Sequence, residues 1–146
     1  MKSCVTLSLV PSLKGGPWIL WDDLEAGIKE AASLGFDAIE LFTAKPSAGE
    51  PGELSQLLDE NGLALGAVGT GAGKVLHGLT LTDPNKEIRQ EAISFIQKMI
   101  DFGALHSAPA IIGSMQGNHG NGISSEVALN WLGEALEHLG QHASNK

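Results

Sequence analysis

Four times along this chain a short apolar or β-branched run is followed by a stretch of helical period, and the joins between them are of two unlike kinds. The joins after the runs are long and rich in glycine, at residues 11–21, 43–52, 69–82 and 116–123. The joins after the helical stretches are short: Gly35, Asn61-Gly62 and residues 103–108. Strands alternating with helices call for parallel strands and right-handed crossovers. Long loops at one end of the strands and tight turns at the other are expected where one rim carries a site and the other only closes the fold.

Residues 4–10 alternate and are β-branched, which predicts the first strand. A helix then begins at Asp22, a capping residue with Glu25 at capping-box spacing. It keeps Leu24, Ile28, Ala31 and Ala32 on one face and ends at Gly35. Residues 36–42 read as the second strand and residues 53–60 as a short helix with Leu54, Leu57 and Leu58 inward. Residues 63–68 read as the third strand. Beyond the next glycine-rich loop, Asp83 is expected to cap a long helix with Pro84 at its first position. Ile88, Ala92, Phe95, Ile96, Met99 and Ile100 hold its period up to Gly103. Residues 109–115 predict the fourth strand. Ser124 or Ser125 caps a last helix, with Ala128, Trp131, Leu132, Ala135, Leu136 and Leu139 along one stripe.

Two architectures use this order, an open doubly wound sheet and a closed (β/α)8 barrel. A closed barrel takes about 250 residues, so four units in 146 residues make half of one. The expected fold is α/β: one domain over residues 1–146, four βα units with parallel strands, half of a (β/α)8 TIM barrel. Four such strands cannot close, and their edges offer unpaired backbone groups. The chain is therefore expected to pair with a copy of itself or with a missing C-terminal half.

Hydrophobic residues make up 42% of the chain, enough for a core, yet no apolar run approaches the roughly 20 residues that span a bilayer. The segment after Met1-Lys2 lacks a small-residue cleavage site, so neither a membrane span nor a signal peptide is expected. Cys4 is the only cysteine, which allows no internal disulfide and fits a reducing cytoplasm. The net charge of −8, with nine scattered Lys and Arg, repels phosphate backbones and argues against a nucleic-acid partner.

Leu34-Gly-Phe-Asp-Ala-Ile-Glu-Leu41 is similar to the helix-to-strand phrase of the xylose isomerase-like TIM barrels. That family holds sugar phosphate isomerases and epimerases, with relatives among tagatose/psicose 3-epimerases, hydroxypyruvate isomerases and endonuclease IV. Ala67-Val-Gly-Thr-Gly-Ala-Gly73, Leu79-Thr-Leu-Thr-Asp-Pro84 and Ala108-Pro-Ala-Ile-Ile-Gly-Ser-Met-Gln-Gly117 resemble its third-strand loop, third helix start and fourth strand. The resemblance covers essentially the whole chain and implies the N-terminal half of a barrel that isomerises or epimerises a small sugar or sugar phosphate in carbohydrate metabolism. In the family a divalent metal (Mn, Mg or Co) is held by two Glu, one Asp and one His, mostly from strands five to eight. The metal polarises the sugar oxygens, and two of the carboxylates move a proton at the carbon next to a carbonyl. No position here matches those residues. The resemblance therefore gives this chain no catalytic residue and no metal ligand of its own, and implies that it is inactive alone. Two alternatives are an endonuclease IV-like metal-dependent hydrolase, against which the acidity and the lack of histidines on strands two and three speak, and a non-catalytic, self-associating half barrel.

The first half of a barrel mouth remains for binding. Glu40 faces away from Ile39 and Leu41, into the barrel, as a substrate-hydroxyl acceptor or a structural carboxylate paired with a neighbour. Lys74 and His77 sit on the third loop, within reach of a sugar or phosphate oxygen or simply solvated. Gln116, Asn118 and His119 follow the fourth strand with amide and imidazole groups suited to sugar hydroxyls. Trp18 and Trp21 follow the first strand, to stack on a sugar or cover the rim. Gly69-Thr-Gly-Ala-Gly-Lys74 is not a phosphate loop. Val68 stands where that motif needs glycine and Val75 where it needs Ser or Thr; it also departs from G-x-G-x-x-G, with no helix expected directly behind it. His138 and His142, four apart near Glu134, are expected on a solvated helix face rather than at a metal.

Overall fold

The computed structural model describes residues 1–15, 20–21, 23–50, 52–120 and 122–146; the expectations at Trp18 and Asp22 lie outside them. The strands are β1 (Cys4–Ser8), β2 (Leu20–Trp21), β3 (Ala38–Phe42), β4 (Ala64–Gly69) and β5 (Ala110–Ile111). The helices are α1 (Leu24–Ser33), α2 (Glu53–Asn61), α3 (Ala72–His77), α4 (Lys86–Ala104) and α5 (Ser125–Ala143). The strands form one sheet in the order β2-β1-β3-β4-β5, and every pairing is parallel. The four βα units expected from the sequence are all present, as β1-α1, β3-α2, β4-α4 and β5-α5. Among the described residues no helix is long and apolar enough to cross a membrane.

Burial separates a half barrel from a doubly wound sheet. In a doubly wound sheet helices cover both faces, so strands read apolar throughout. Here Val5, Leu7, Ile39, Leu41, Leu65 and Val68, all from one face, form a single core with Leu24, Ile28, Leu54, Leu57, Met99 and Phe102 of the helices. A second cluster joins α4 to α5 through Ala92, Ile96, Ala135 and Leu139. The helices of this core thus share one side of the sheet, and the other side carries small and polar residues together with Phe42.

The differences from the sequence expectation have local causes. Residues 20–21, placed in a loop, pair with β1 at Leu7 and Ser8. Leu20 is buried in the core with Leu7 and Leu24, which draws the segment against the strand edge. The glycine-rich loop after β4 holds the six-residue α3 directly behind Gly71. The fourth strand, expected over residues 109–115, pairs only at Ala110 and Ile111. Ile112 turns helical and Gly113 takes φ +52°, so the chain leaves the pleat. Thr70 then closes the pairing, its N–H donating to the Ile111 carbonyl at 3.1 Å and its Oγ1 shared between the carbonyls of Ile111 and Ile112 at 2.8 and 3.0 Å.

Two caps fall later than expected. Asp23 caps α1 by accepting from the Ala26 N–H at 2.7 Å. Asn85, not Asp83, caps α4 by accepting from the Glu87 N–H at 2.8 Å. Asp83 instead accepts from the Asn85 N–H at 2.8 Å, a side-chain turn that leads into the cap and leaves Pro84 ahead of the helix. Ser124 caps α5.

Candidate functional site

The inner face of the sheet carries Cys4, Thr6 and Ser8 of β1, Glu40 and Phe42 of β3, and Ala67 and Gly69 of β4, by the two-residue alternation that sends their neighbours to the helices. Thr6 and Glu40 are register partners. Thr6 Oγ1 donates to Glu40 Oε2 at 3.1 Å. A bulge between Ile39 and Glu40 sets Glu40 opposite Ala67 and leaves Gly66 unmatched; an extra residue of this kind re-aims the side chains beside it. Glu40 Oε1 reaches Gly69, two residues nearer the carboxyl ends of the strands. A Cβ on Gly69 would lie 3.0 Å from Glu40 Oε1 and 3.0 Å from Phe42 Cδ2. The half-buried carboxylate therefore leans toward the rim that bears the long loops.

Phe42 and Ser114 flank Gly71, where a Cβ would meet Phe42 Cε2 at 3.1 Å and Ser114 Oγ at 3.2 Å. The rim is thus continuous from β3 past the start of α3 to the turn after β5. Cys4 lies on the same face below Glu40. Desolvation first, and the charge of Glu40 second, hold its thiol above the usual cysteine range. At neutral pH it is a thiol, not a nucleophilic thiolate.

The other candidates fall into separate places. Gln116 and His119, with Asn118, line a groove of about 270 Å³ that also includes Thr82, Ser125 and Leu132. Thr82 Oγ1 donates to the Asn118 carbonyl at 2.9 Å and ties this loop to the segment that leads into α4. Glu40 is not part of that groove. Lys74 and His77 lie on α3 rather than on an open loop, Lys74 half-buried and His77 exposed. The His77 ring meets Phe95 edge-on at 6.4 Å between centroids. Trp21 is half-buried on β2. Among the described residues no three His, Cys, Asp or Glu side chains gather to hold a metal ion.

Thr6 and Gly69 escaped the sequence reading. Either becomes visible only once the register of β1 and β4 against Glu40 is known. The histidines of α5 lie on the solvent side as expected, His138 exposed and His142 half-buried, but the sequence reading missed their partners on α4. His142 Nε2 lies 2.7 Å from Asp101 Oδ1, and His138 Nε2 lies 3.1 Å from Gln97 Nε2. They clasp α5 to α4, with Lys146 Nζ 2.9 Å from the same Asp101 oxygen. Hydrogen bonds from Lys146 and then His142 hold the Asp101 carboxyl below the usual carboxylate range. A depressed folded-state value stabilises the fold above the unfolded value, and that contribution is lost as pH falls through the folded one. The α5 end should therefore loosen below about pH 4. Asp101→Asn should abolish that acid-side change, as read by hydrogen exchange at Ala143 and Ser144. Equal pH dependence in the variant would refute the clasp.

The sequence profile of the xylose isomerase-like TIM barrel family matches residues 28–146. No curated protein matches the sequence significantly. Among solved structures, D-psicose 3-epimerase from Clostridium cellulolyticum H10 with D-tagatose superposes with a TM-score of 0.69 at 18% identity, over 99% of this chain and 49% of that one. The 3-keto-D-glucoside 4-epimerase from E. coli gives 0.68 at 13% identity, over 99% and 53%. D-allulose 3-epimerase from Methylomonas sp. in complex with D-allulose gives 0.65 at 18% identity, over 100% and 49%. The chain spans about half the length of these solved relatives. Its fold is the half of a (β/α)8 barrel that the order of its elements predicts.

Proposed function

The chain belongs to the xylose isomerase-like TIM barrel family, and on that footing we propose that it is the substrate-holding half of a sugar isomerase or epimerase. One observation carries the reading: an acceptor carboxylate, Glu40, stands on the inner face and leans toward the rim of a barrel whose solved relatives are sugar epimerases. Ligands in such barrels sit at the carboxyl ends of the strands. A carboxylate there can accept a sugar hydroxyl, and a hydrogen bond to an ionised group is stronger than one between neutral groups.

The described residues do not fit the divalent ion of such enzymes, since Glu40 is a single carboxylate with a threonine beside it. We assign the metal ligands, and the groups that move a proton at the carbon next to the carbonyl, to the other half of the barrel. That half has a place to pack. Beyond β5 an apolar groove of about 610 Å³ runs between α4 and α5, lined by Ile96, Ile100, Pro109, Ile112, Leu136 and Leu139. Ile111 and Leu136 are 43% and 44% exposed at its margin, an apolar surface that a neighbouring strand and helix would cover. In this chain Gln116 and His119 would contribute a second set of hydroxyl partners, and Lys74 and His77 would reach a phosphorylated end. The free thiol of Cys4 fits a reducing cytoplasm.

The test is a titration of the isotope-labelled chain with D-tagatose, followed by amide NMR. Shifts are expected at Glu40, Gly69 and Gly71, with an affinity that falls about tenfold in Glu40→Gln, the effect of weakening one charged hydrogen bond. Perturbations that avoid the inner rim altogether would count against the reading.

A further inference from the structure

We propose that Thr6 and Gly69 are the positioning pair for Glu40, Thr6 fixing one carboxylate oxygen and Gly69 keeping open the notch in which the other accepts a hydroxyl of a neutral polyhydroxy ligand. The inference rests on the reading of Glu40 as a sugar contact and adds the parts that make it one. Glutamate is long, and ordering it on binding costs rotamer freedom. A group held in its bound geometry beforehand spares the ligand that loss. Thr6 does this from the adjacent strand, its hydroxyl 3.1 Å from Oε2, and no other described residue donates to Glu40. The register pairing of Thr6 with Glu40 puts the hydroxyl there by backbone geometry, not by a flexible reach.

Gly69 acts on the other oxygen. With a Cβ at 3.0 Å from both Oε1 and Phe42 Cδ2, an alanine there would push one of them aside by a few tenths of an ångström. Ala67, opposite Glu40 in the register, is likewise small. The carboxylate therefore lies over small residues, Ala67 and Gly69, with the Phe42 ring beside it. The notch selects by charge as well as shape. An ionised carboxylate is acceptor-only, so it takes a hydroxyl and repels a phosphate or carboxylate group. The neutral, hydroxyl-bearing part of a ligand belongs here, and any anionic group belongs elsewhere on the rim.

The full chain is examined in two ways. Without ligand, the carboxyl-carbon NMR resonance of Glu40 should shift in Thr6→Val, return to its wild-type position in Thr6→Ser, and shift again in Gly69→Ala. With D-tagatose, affinity should fall about tenfold in Thr6→Val and recover to within about twofold in Thr6→Ser. A Glu40 resonance unmoved by Thr6→Val overturns the positioning role, whatever the sugar does; that variant is isosteric and decides the matter if Gly69→Ala disturbs folding. A resonance that moves while sugar affinity does not overturns the link between position and binding. A resonance that moves as expected while D-tagatose perturbs no rim amide supports the positioning and overturns the sugar reading.

Discussion

Gly103→Ala should destabilise the chain by about 3 kcal/mol, roughly 10 °C in Tm, although alanine is the better helix former. Gly103 lies in the last turn of α4, and its carbonyl accepts from the N–H groups of His106 and Ala108, each at 2.9 Å. The chain reverses so tightly that the Ala108 carbonyl crosses directly over Gly103. A Cβ there would come within 2.4 Å of that oxygen, and within 3.5 Å of Val68 Cγ2. Both partners are held. Ala108 leads into Pro109, whose carbonyl accepts from the Val68 N–H at 2.9 Å, so the turn cannot open without unseating β5 from β4. Relief has to come from backbone movement, which places the cost at the upper end of the usual overpacking range. Gly133→Ala in α5 is the matched control. Nothing lies within 4 Å of its Cβ position, so it should gain about 0.5–1 kcal/mol from helix propensity alone. Urea unfolding of the two variants measures both signs. A Gly103→Ala protein within about 0.5 kcal/mol of wild type would show that the reversal is not tight in solution.

That reversal illustrates what the sequence does and does not disclose. The helix to Gly103, the short turn and the start of the strand after it were readable from period and punctuation, though not how soon that strand ends. Glycine at the helix end looked like an ordinary terminator. Its actual role is clearance for a carbonyl five residues on, which is a tertiary fact. Gly35 and Gly62 did behave as terminators, at φ +79° and +66°, because their requirement is local. The same division holds for the caps. Asp, Ser and Asn near a helix start are all competent, and which one caps depends on where the backbone turns extended, at Asp23 and Asn85. Leu20–Trp21 is too short for any periodicity, so only its packing on Leu7 makes it a strand.

The site was legible to the extent that it follows strand alternation. Ile39 and Leu41 going to the core forces Glu40 to the other face, and the glycine-rich loops mark the rim it leans toward. Its partners were not legible, because parallel pairing between residues 34 apart in sequence is set by register. The bulge at Ile39/Glu40 moves that register by one residue on β4 and so selects Ala67 and Gly69, rather than their neighbours, as the floor. The loop candidates fared differently because loops have no period. Lys74 and His77 proved helical, and Gln116 and His119 share a groove of their own at the start of α5.

Leu41→Ala should cost about 3 kcal/mol, whereas Glu40→Gln next to it should leave stability within about 0.5 kcal/mol. Leu41 is 0% exposed and sits in the main core. Its neighbours there belong to strands and helices fixed by their own pairings, so the space left by truncation cannot readily collapse. The loss combines the transfer term for the removed carbons with the residual cavity. Glu40 contributes one hydrogen bond from Thr6 on a half-exposed face, and a glutamine oxygen can accept that bond in its place. Adjacent residues on one strand should thus separate, Leu41, turned to the helices, governing stability, and Glu40, turned inward, governing the ligand binding proposed for it. Thermal and urea unfolding of both variants, read beside D-tagatose affinity, checks this separation. If Glu40→Gln unfolds the chain as readily as Leu41→Ala does, the carboxylate is a structural strut between β1 and β3, and the inner face holds no site.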